Sequence, residues 1–448
     1  MNKLNTFSLI LLMLAIIGIE KVQAQTATYT FSLEEARAYA VEHSYSTRKA
    51  VLDQEMAEKK MKETTAIGLP QFGASADFNN FLELPTSVLP PEFGPPGSTD
   101  PVALQFGTDY SLGANLTVNQ LIFNGSYIVG LQAAKVYREM SEKVLIKSER
   151  DIKDEVTQAY GNAIVSEENF ETIKGNKEYL EKTLIETKAL YDAGFAKEQD
   201  VDQLTILVQS ALIEYNRADR LREISNNFLK FTLGIETVAD IILTDSLSKI
   251  VSYGNDSAVV EQAFDVNSNI DYKIAQSNQQ LQELNLKNTK AEFLPTLNGF
   301  YQYSQKYQKN DLSMNSDYWF PSQVWGLQLN IPIFSSGQRM YVKQQADLNF
   351  QKSQIDTKQA EEGLMVEFLT KKSEYQFSID QYKNAKANLD LVQKVVNKET
   401  IKYQEGMSSS LNLANAQIQF FQIQGTYIQS IMQMINARSA MDRILNNY

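Results

Sequence analysis

The sequence predicts a mostly α-helical chain that contributes strands to a membrane β-barrel and is internally duplicated. Three observations lead there. The first is repetition of short phrases: AIGLP at 66–70 and AEFLP at 291–295, QLIFNG at 120–125 and IPIFSSG at 331–337, YDAGFAKEQDV at 191–201 and YQEGMSSSLNL at 403–413. The second is alternation of polar and apolar residues in the stretches between the first and second phrases of each half. The third is a long proline-free stretch after the second phrase in both halves. A period this long exceeds that of a solenoid, so it marks duplication of a half-molecule. Repeat one covers 32–234, repeat two 258–447, and 235–257 breaks the helical pattern between them.

Residues 1–24 read as a cleaved secretory signal: Lys3 near the start, an apolar run at 9–17, and Val22-Gln23-Ala24 as a small-residue cleavage pattern. The remaining 25–448 form one duplicated unit. There is no cysteine anywhere, which excludes both disulfides and a lipid anchor on cysteine. The chain carries 42 Lys and Arg against 54 Asp and Glu, a formal net charge of −12. Such a balance excludes nucleic acid as a partner, since that binding needs a basic footprint. Nothing after the signal reaches the roughly 18 consecutive apolar residues of a transmembrane helix. Barrel strands alternate and barely raise average hydropathy, so the mean hydropathy of −0.32 is compatible with a barrel.

Four strands are expected, at about 69–82, 110–123, 294–307 and 324–334. In the first, Phe72, Ala74, Ala76 and Phe78 fall on one face and Ser75, Asp77 and Asn79 on the other. Leu116 against Asn115, and Trp325 and Leu329 against Gln328, continue the pattern. Lipid-facing positions are therefore Phe72, Phe78, Leu116, Trp325 and Leu329, and lumen positions Asp77, Asn115 and Gln328. The third strand is weaker, because Phe300 sits on its polar face. The connection from Phe81 to Asp109 holds Pro85, Pro90, Pro91, Pro95, Pro96 and Pro101, as an exposed loop would. Four strands cannot enclose an aqueous lumen, and edges open to lipid are forbidden. Several copies of the chain must close the barrel together.

The helical stretches come next. Spans 126–190 and 338–402 contain no proline, and each corresponds to roughly 100 Å of helix. Shorter helices are expected at about 32–65, 198–234, 258–292 and 410–447. Tyr382, Ala385, Leu389, Val392, Val396, Glu399 and Tyr403 step by three and four, as in a coiled-coil seam. Phe170, Ile173, Lys177, Leu180, Leu184, Thr187 and Tyr191 repeat it in the first half. Val201, Leu204, Val208, Ala211 and Tyr215, and their counterparts Leu413, Ala416, Phe420, Ile423 and Tyr427, answer these seams. Each half thus ends in an antiparallel helical hairpin with thin apolar stripes, suited to a wall wetted on both sides.

Catalytic chemistry is missing. His43 is the only histidine, no Gly-rich phosphate loop occurs, and DVNSNID at 265–271 has Ile270 where a calcium loop needs Gly. No enzyme activity, cofactor or metal is expected.

The tip phrase Tyr-x-x-Gly, with Asp or Asn six residues later, occurs twice after paired strands. In this the chain resembles TolC-type outer-membrane efflux proteins, over nearly its whole length after the signal. The resemblance implies a homotrimer with a twelve-stranded barrel in the outer membrane and an α-helical tunnel in the periplasm. It also implies a periplasmic adaptor and an inner-membrane pump as partners, and a passive exit duct for efflux or type I secretion as function. By position, Tyr191, Gly194, Asp200 and Gln203 form the first tip, and Tyr403, Gly406, Asn412 and Asn415 the second. The resemblance implies that they serve as gate and adaptor contact. Relatives carry aspartates in place of Asn412 and Asn415, and an arginine in place of Ser408, so neither an aspartate ring nor an arginine latch is expected at the second tip. The competing reading is a non-transporting periplasmic coiled-coil scaffold or adhesin stalk, which has no need of four alternating strands.

Overall fold

The computed structural model describes residues 28–97, 99–313 and 316–448; the expected signal at 1–24 lies outside them. Two compact units are distinguished. One takes in the chain through Arg48, Ser148–Phe264 and Phe368–Tyr448, and the other Lys49–Lys147 and Asp265–Glu367.

The second unit is built on the alternating stretches. They form β2 (Gln71–Asn80), β5 (Tyr110–Phe123), β7 (Thr296–Lys309) and β8 (Trp319–Asn330), after a short β1 (Thr28–Phe31) that belongs to the other unit. The sheet is antiparallel in the order β2-β5-β7-β8. Paired residues share a face. Ala74 opposite Leu116, Leu116 opposite Tyr303, Tyr301 opposite Trp325 and Leu297 opposite Leu329 make one apolar face. Ser75 and Ser304 flank Asn115 on the other, where Asn298 also opposes Gln328. Phe300 does sit on this polar face, opposite Gly326, and a Cβ at Gly326 would lie 2.9 Å from its ring. The ring fills the space that the missing side chain leaves.

Boundaries differ from expectation at the fourth strand, which begins at Trp319 rather than 324 and stops at Asn330 rather than 334. Pro332 has no N–H for a ladder, and Ser336 and Gly337 turn the chain through positive φ, at 49° and 85°. The proline-rich loop also contains a hairpin that alternation did not reveal, β3 (Thr86–Leu89) with β4 (Val102–Gln105). The same unit also contains parts of α2 (Tyr45–Ala66), α3 (Gly125–Asp192), α6 (Ile270–Ala291) and α7 (Gln338–Gln404).

In the first unit β1 pairs in parallel with β6 (Asp240–Leu243), a pairing the sequence did not reveal. Residues 235–257 hold β6 and α5 (Leu247–Gly254). The helix expected over 32–65 is two helices, α1 (Leu33–His43) and α2. Ser44 is extended at their junction, and its Oγ accepts the Thr47 N–H at 3.3 Å, starting a new helix. The helix expected from 258 begins at Ile270 instead, because Asp256, Asp265 and Asn269 each turn a side-chain oxygen onto a nearby N–H.

The core of this unit gathers Val156, Leu229, Leu233, Tyr375, Ile431, Met434 and Ile435 from α3, α4 (Glu198–Leu233), α7 and α8 (Ser410–Leu445). Buried Tyr160 donates its hydroxyl to the Phe31 carbonyl at 3.0 Å, anchoring β1. Arg438 lies among Asp442 (3.0 Å), Asp256 (3.1 Å) and the ring of Tyr253. Tyr253 donates to Asp442 at 2.7 Å, so the buried carboxylate is met from two sides. Gly234 closes α4 at φ 77°, with the His43 carbonyl where a Cβ would need to be. Asn446, the matching position, closes α8 at φ 56°.

Candidate functional site

The two tips repeat one local design. At the first, Gly194 takes φ 82°, its N–H bonds the Tyr191 carbonyl, and the Phe195 N–H reaches back to Leu190. At the second, Gly406 takes φ 72°, with the same bonds from Gly406 to Tyr403 and from Met407 to Lys402. This is a Schellman closure, which needs a residue without a Cβ at the left-handed position. The helices that leave the tips start differently. Ser409 caps α8 through its Oγ, which accepts the Asn412 N–H at 3.3 Å. Lys197 begins α4, and Asp200 reaches back to accept the Lys197 N–H at 3.3 Å.

Side by side, the tips form a junction. Ser410 Oγ lies 2.5 Å from Asp200 Oδ1 and 2.6 Å from Gln203 Oε1. The hydroxyls of Tyr403 and Thr187 are 2.9 Å apart. Leu180, Leu204, Leu207 and Leu413 pack beneath them, with Tyr403 at the edge. A cleft of about 900 Å³ opens beside the junction, lined by Phe195, Lys197, Asp200, Tyr403, Met407 and Asn412 among others. Asn412 donates to Ser408 at 3.3 Å, and Ser408 donates to Glu399 at 2.8 Å. The Glu399 carboxyl is held below the usual range by its hydrogen bond from Lys402 and then by that from Ser408. Burial raises the Tyr403 phenol.

The residues named from sequence are thus only partly gathered. Asp200, Gln203 and Tyr403 meet at the junction, and Gly194 and Gly406 shape it. Tyr191 stays 42% exposed, and Asn412 and Asn415 face outward. Thr187 and Ser410 were not singled out as contacts, because their partners lie on the other hairpin; Glu399 is met by Lys402 and Ser408 within its own. The one available signal was the seam itself, in which Thr187 and Glu399 occupy equivalent steps. Among the barrel residues, Phe72, Phe78, Leu116, Trp325 and Leu329 are all exposed in the single chain, from 44% to 77%. Asp77 leans over Gly113 and accepts from Asn79 at 3.3 Å and Asn115 at 3.5 Å.

Residues 267–447, nearly all of the second repeat, match the family described as outer membrane efflux protein. The second repeat of this chain is thus similar to that family. No curated protein matches it. Among solved structures it is similar to the outer membrane protein VceC of Vibrio cholerae, at 16% identity and TM-score 0.68, covering 92% of this chain and 95% of that one. The outer-membrane channel OprN is similar at 14% identity and TM-score 0.69, over 93% and 90% of the two chains. The Neisseria gonorrhoeae MtrE outer membrane channel, in its open state, gives 17% and 0.67 over 92% and 88%. These likenesses give this chain the fold of those outer-membrane channel proteins.

Proposed function

We propose that this protein is the exit duct of a tripartite efflux or type I secretion system, passively conducting substrates outward. The observation that carries the reading is the sheet. It has two unpaired edges, β2 and β8, of 10 and 12 residues, and an apolar face left in the open. Neither is tolerated in lipid unless further copies continue the ladder around a closed ring. Three copies give twelve strands with Phe72, Phe78, Leu116, Trp325 and Leu329 toward lipid and Asp77, Asn115 and Gln328 toward the lumen. The helical hairpins lie in the periplasm. Their tips, with Phe195 at 83%, Met407 at 70% and Leu411 at 51% exposure, present apolar side chains to a periplasmic adaptor that joins an inner-membrane pump. Asp200, Gln203 and Tyr403 hold the tips closed at rest.

The test is extraction of outer membranes with mild detergent. A trimer that dissociates only on heating, and that conducts ions in a planar bilayer, is the expected result. A soluble periplasmic protein without conductance would instead fit the scaffold or stalk reading.

A further inference from the structure

Helices α4 and α8 are copies of one another, each 36 residues long and starting 212 positions apart. At one pair of equivalent steps the copies part. The first carries Leu212-Ile213 and the second Gln424-Gly425. Leu212 and Ile213 are 43% and 66% exposed, whereas Gln424 is only 4% exposed. An amide therefore occupies the better covered of two equivalent positions, where an aliphatic side chain would pack without needing a hydrogen bond.

This amide is satisfied on one side only. Its Nε2 donates to Asn169 Oδ1 at 3.4 Å, which orients the group. Its Oε1 is buried and has no hydrogen-bond partner among the described residues. Buried polar atoms are normally paired, so a lone acceptor at this depth marks a place where a donor is due. Gln424 borders a cleft of about 450 Å³ between α3, α4 and α8, which Asn169 lines as well.

Much of the remaining lining is apolar. Ile173, Leu221, Phe421, Ile428 and Met432 border the space. Gly425 widens it, since a Cβ there would meet nothing within 4 Å. Packing within the chain thus does not require a glycine in the middle of α8, where it weakens the helix. Glu214 and Arg217 also line the cleft, 3.9 Å apart, and their charges offset one another. The volume suits a small organic molecule. Apolar walls, one buried acceptor and no net charge select a largely apolar, uncharged molecule with an N–H donor.

We propose that this cleft binds a small molecule of the arylamine class, whose N–H donates to Gln424 Oε1 and whose rings lie against Phe421 and Met432. The site is built entirely from α3, α4 and α8 of one chain, so it stands whether or not the barrel closes.

Because the chain lacks cysteine, Gly425→Cys puts a single thiol in the cleft, and its rate of alkylation by a maleimide reads occupancy there. In the full chain, purified in mild detergent, N-phenyl-1-naphthylamine should slow alkylation several-fold. Its N-methyl analogue, which lacks the N–H, should not. Adding Gln424→Leu, which restores the residue type of the first copy, should abolish the protection while circular dichroism shows the helices intact. Alkylation unchanged by the amine overturns the site. Equal protection by the two compounds, or protection that survives Gln424→Leu, overturns the pairing with the amide oxygen. A thiol already blocked before any amine is added means that a protein partner or a second copy covers the cleft, and that result also overturns the inference.

Discussion

The hydroxyl of Tyr403 lies 2.9 Å from that of Thr187, 216 residues earlier in the chain. This contact ties the second tip to the first and leaves Tyr191, which stands in an identical local turn, without an equivalent. Within the chain the two tips are joined by this contact between hydroxyls, by leucine packing and by the bond from Ser410 to the Asp200 carboxylate.

Removing the Tyr403 hydroxyl separates the two contributions. Tyr403→Phe keeps the ring against the leucine cluster and loses one hydrogen bond, about 0.5–1.5 kcal/mol. Tyr403→Ala loses the packing as well. Bilayer conductance should rise slightly for the first and clearly for the second. Equal conductance for wild type and Tyr403→Ala would show that this tip is not the constriction.

Asp200 serves the α4 N-terminus and the Ser410 contact together. Asp200→Asn should keep most of the junction while removing its charge, so cation preference falls with little change in conductance. Asp200→Ala should lower cation preference and also widen the pore. Ion selectivity measured by reversal potential distinguishes the two. Unchanged selectivity in both variants would mean that permeating ions do not pass this carboxylate.

The two faces of β5 are expected to respond oppositely to charge. Leu116→Arg puts a guanidinium on the apolar face, at roughly 2–4 kcal/mol near the bilayer midplane, and should sharply reduce trimer yield in outer membranes. Asn115→Arg, one residue earlier on the polar face, should assemble normally. Equal yields would show that the register of faces is wrong.

Gly161 of α3 lies against Ile435 of α8, where a Cβ would stand 2.8 Å from the Ile435 Cγ2. Gly161→Val overpacks this contact and should lower stability by about 1–3 kcal/mol. Pairing it with Ile435→Ala should recover part of the loss. Thermal unfolding followed by circular dichroism gives both values, and additive losses would rule out the direct clash.

Acid should weaken the first unit. The hydrogen bond from Arg438, and then that from the Ala258 N–H, hold the Asp256 carboxyl below the usual aspartate range. Burial pushes Asp245 upward, but hydrogen bonds from Lys249 and the Leu33 N–H outweigh it and leave it lowered. For carboxyls lowered by folding, the stabilisation is complete above the unfolded value of about 4. It is lost as pH falls through the lower folded values. Melting temperature should accordingly drop below about pH 4, and Asp245→Asn should flatten that drop. A profile unchanged by Asp245→Asn would show that its lowered value is not the source.

Much of this was legible in the sequence because it follows from local periodicity. Period-two alternation placed Trp325 opposite in phase to Gln328, and heptad stepping placed Leu180, Leu204, Val392 and Leu413 in seams. Gly194 and Gly406 marked the tips because a left-handed backbone position needs no Cβ. Residue types alone determined the absence of disulfides. What the sequence left open depends on contacts between distant segments. The parallel pair of β1 with β6, the break at Ser44 and the late start of α6 are set by partners and by short side chains competing for backbone N–H groups. The clearest case is the pair of tips. Tyr191 and Tyr403 occupy the same phrase and the same turn, so sequence treats them alike. Only the docking of α8 onto the first hairpin half-buries one against Thr187 and leaves the other in the open, since a linear repeat cannot state which of its two copies is covered.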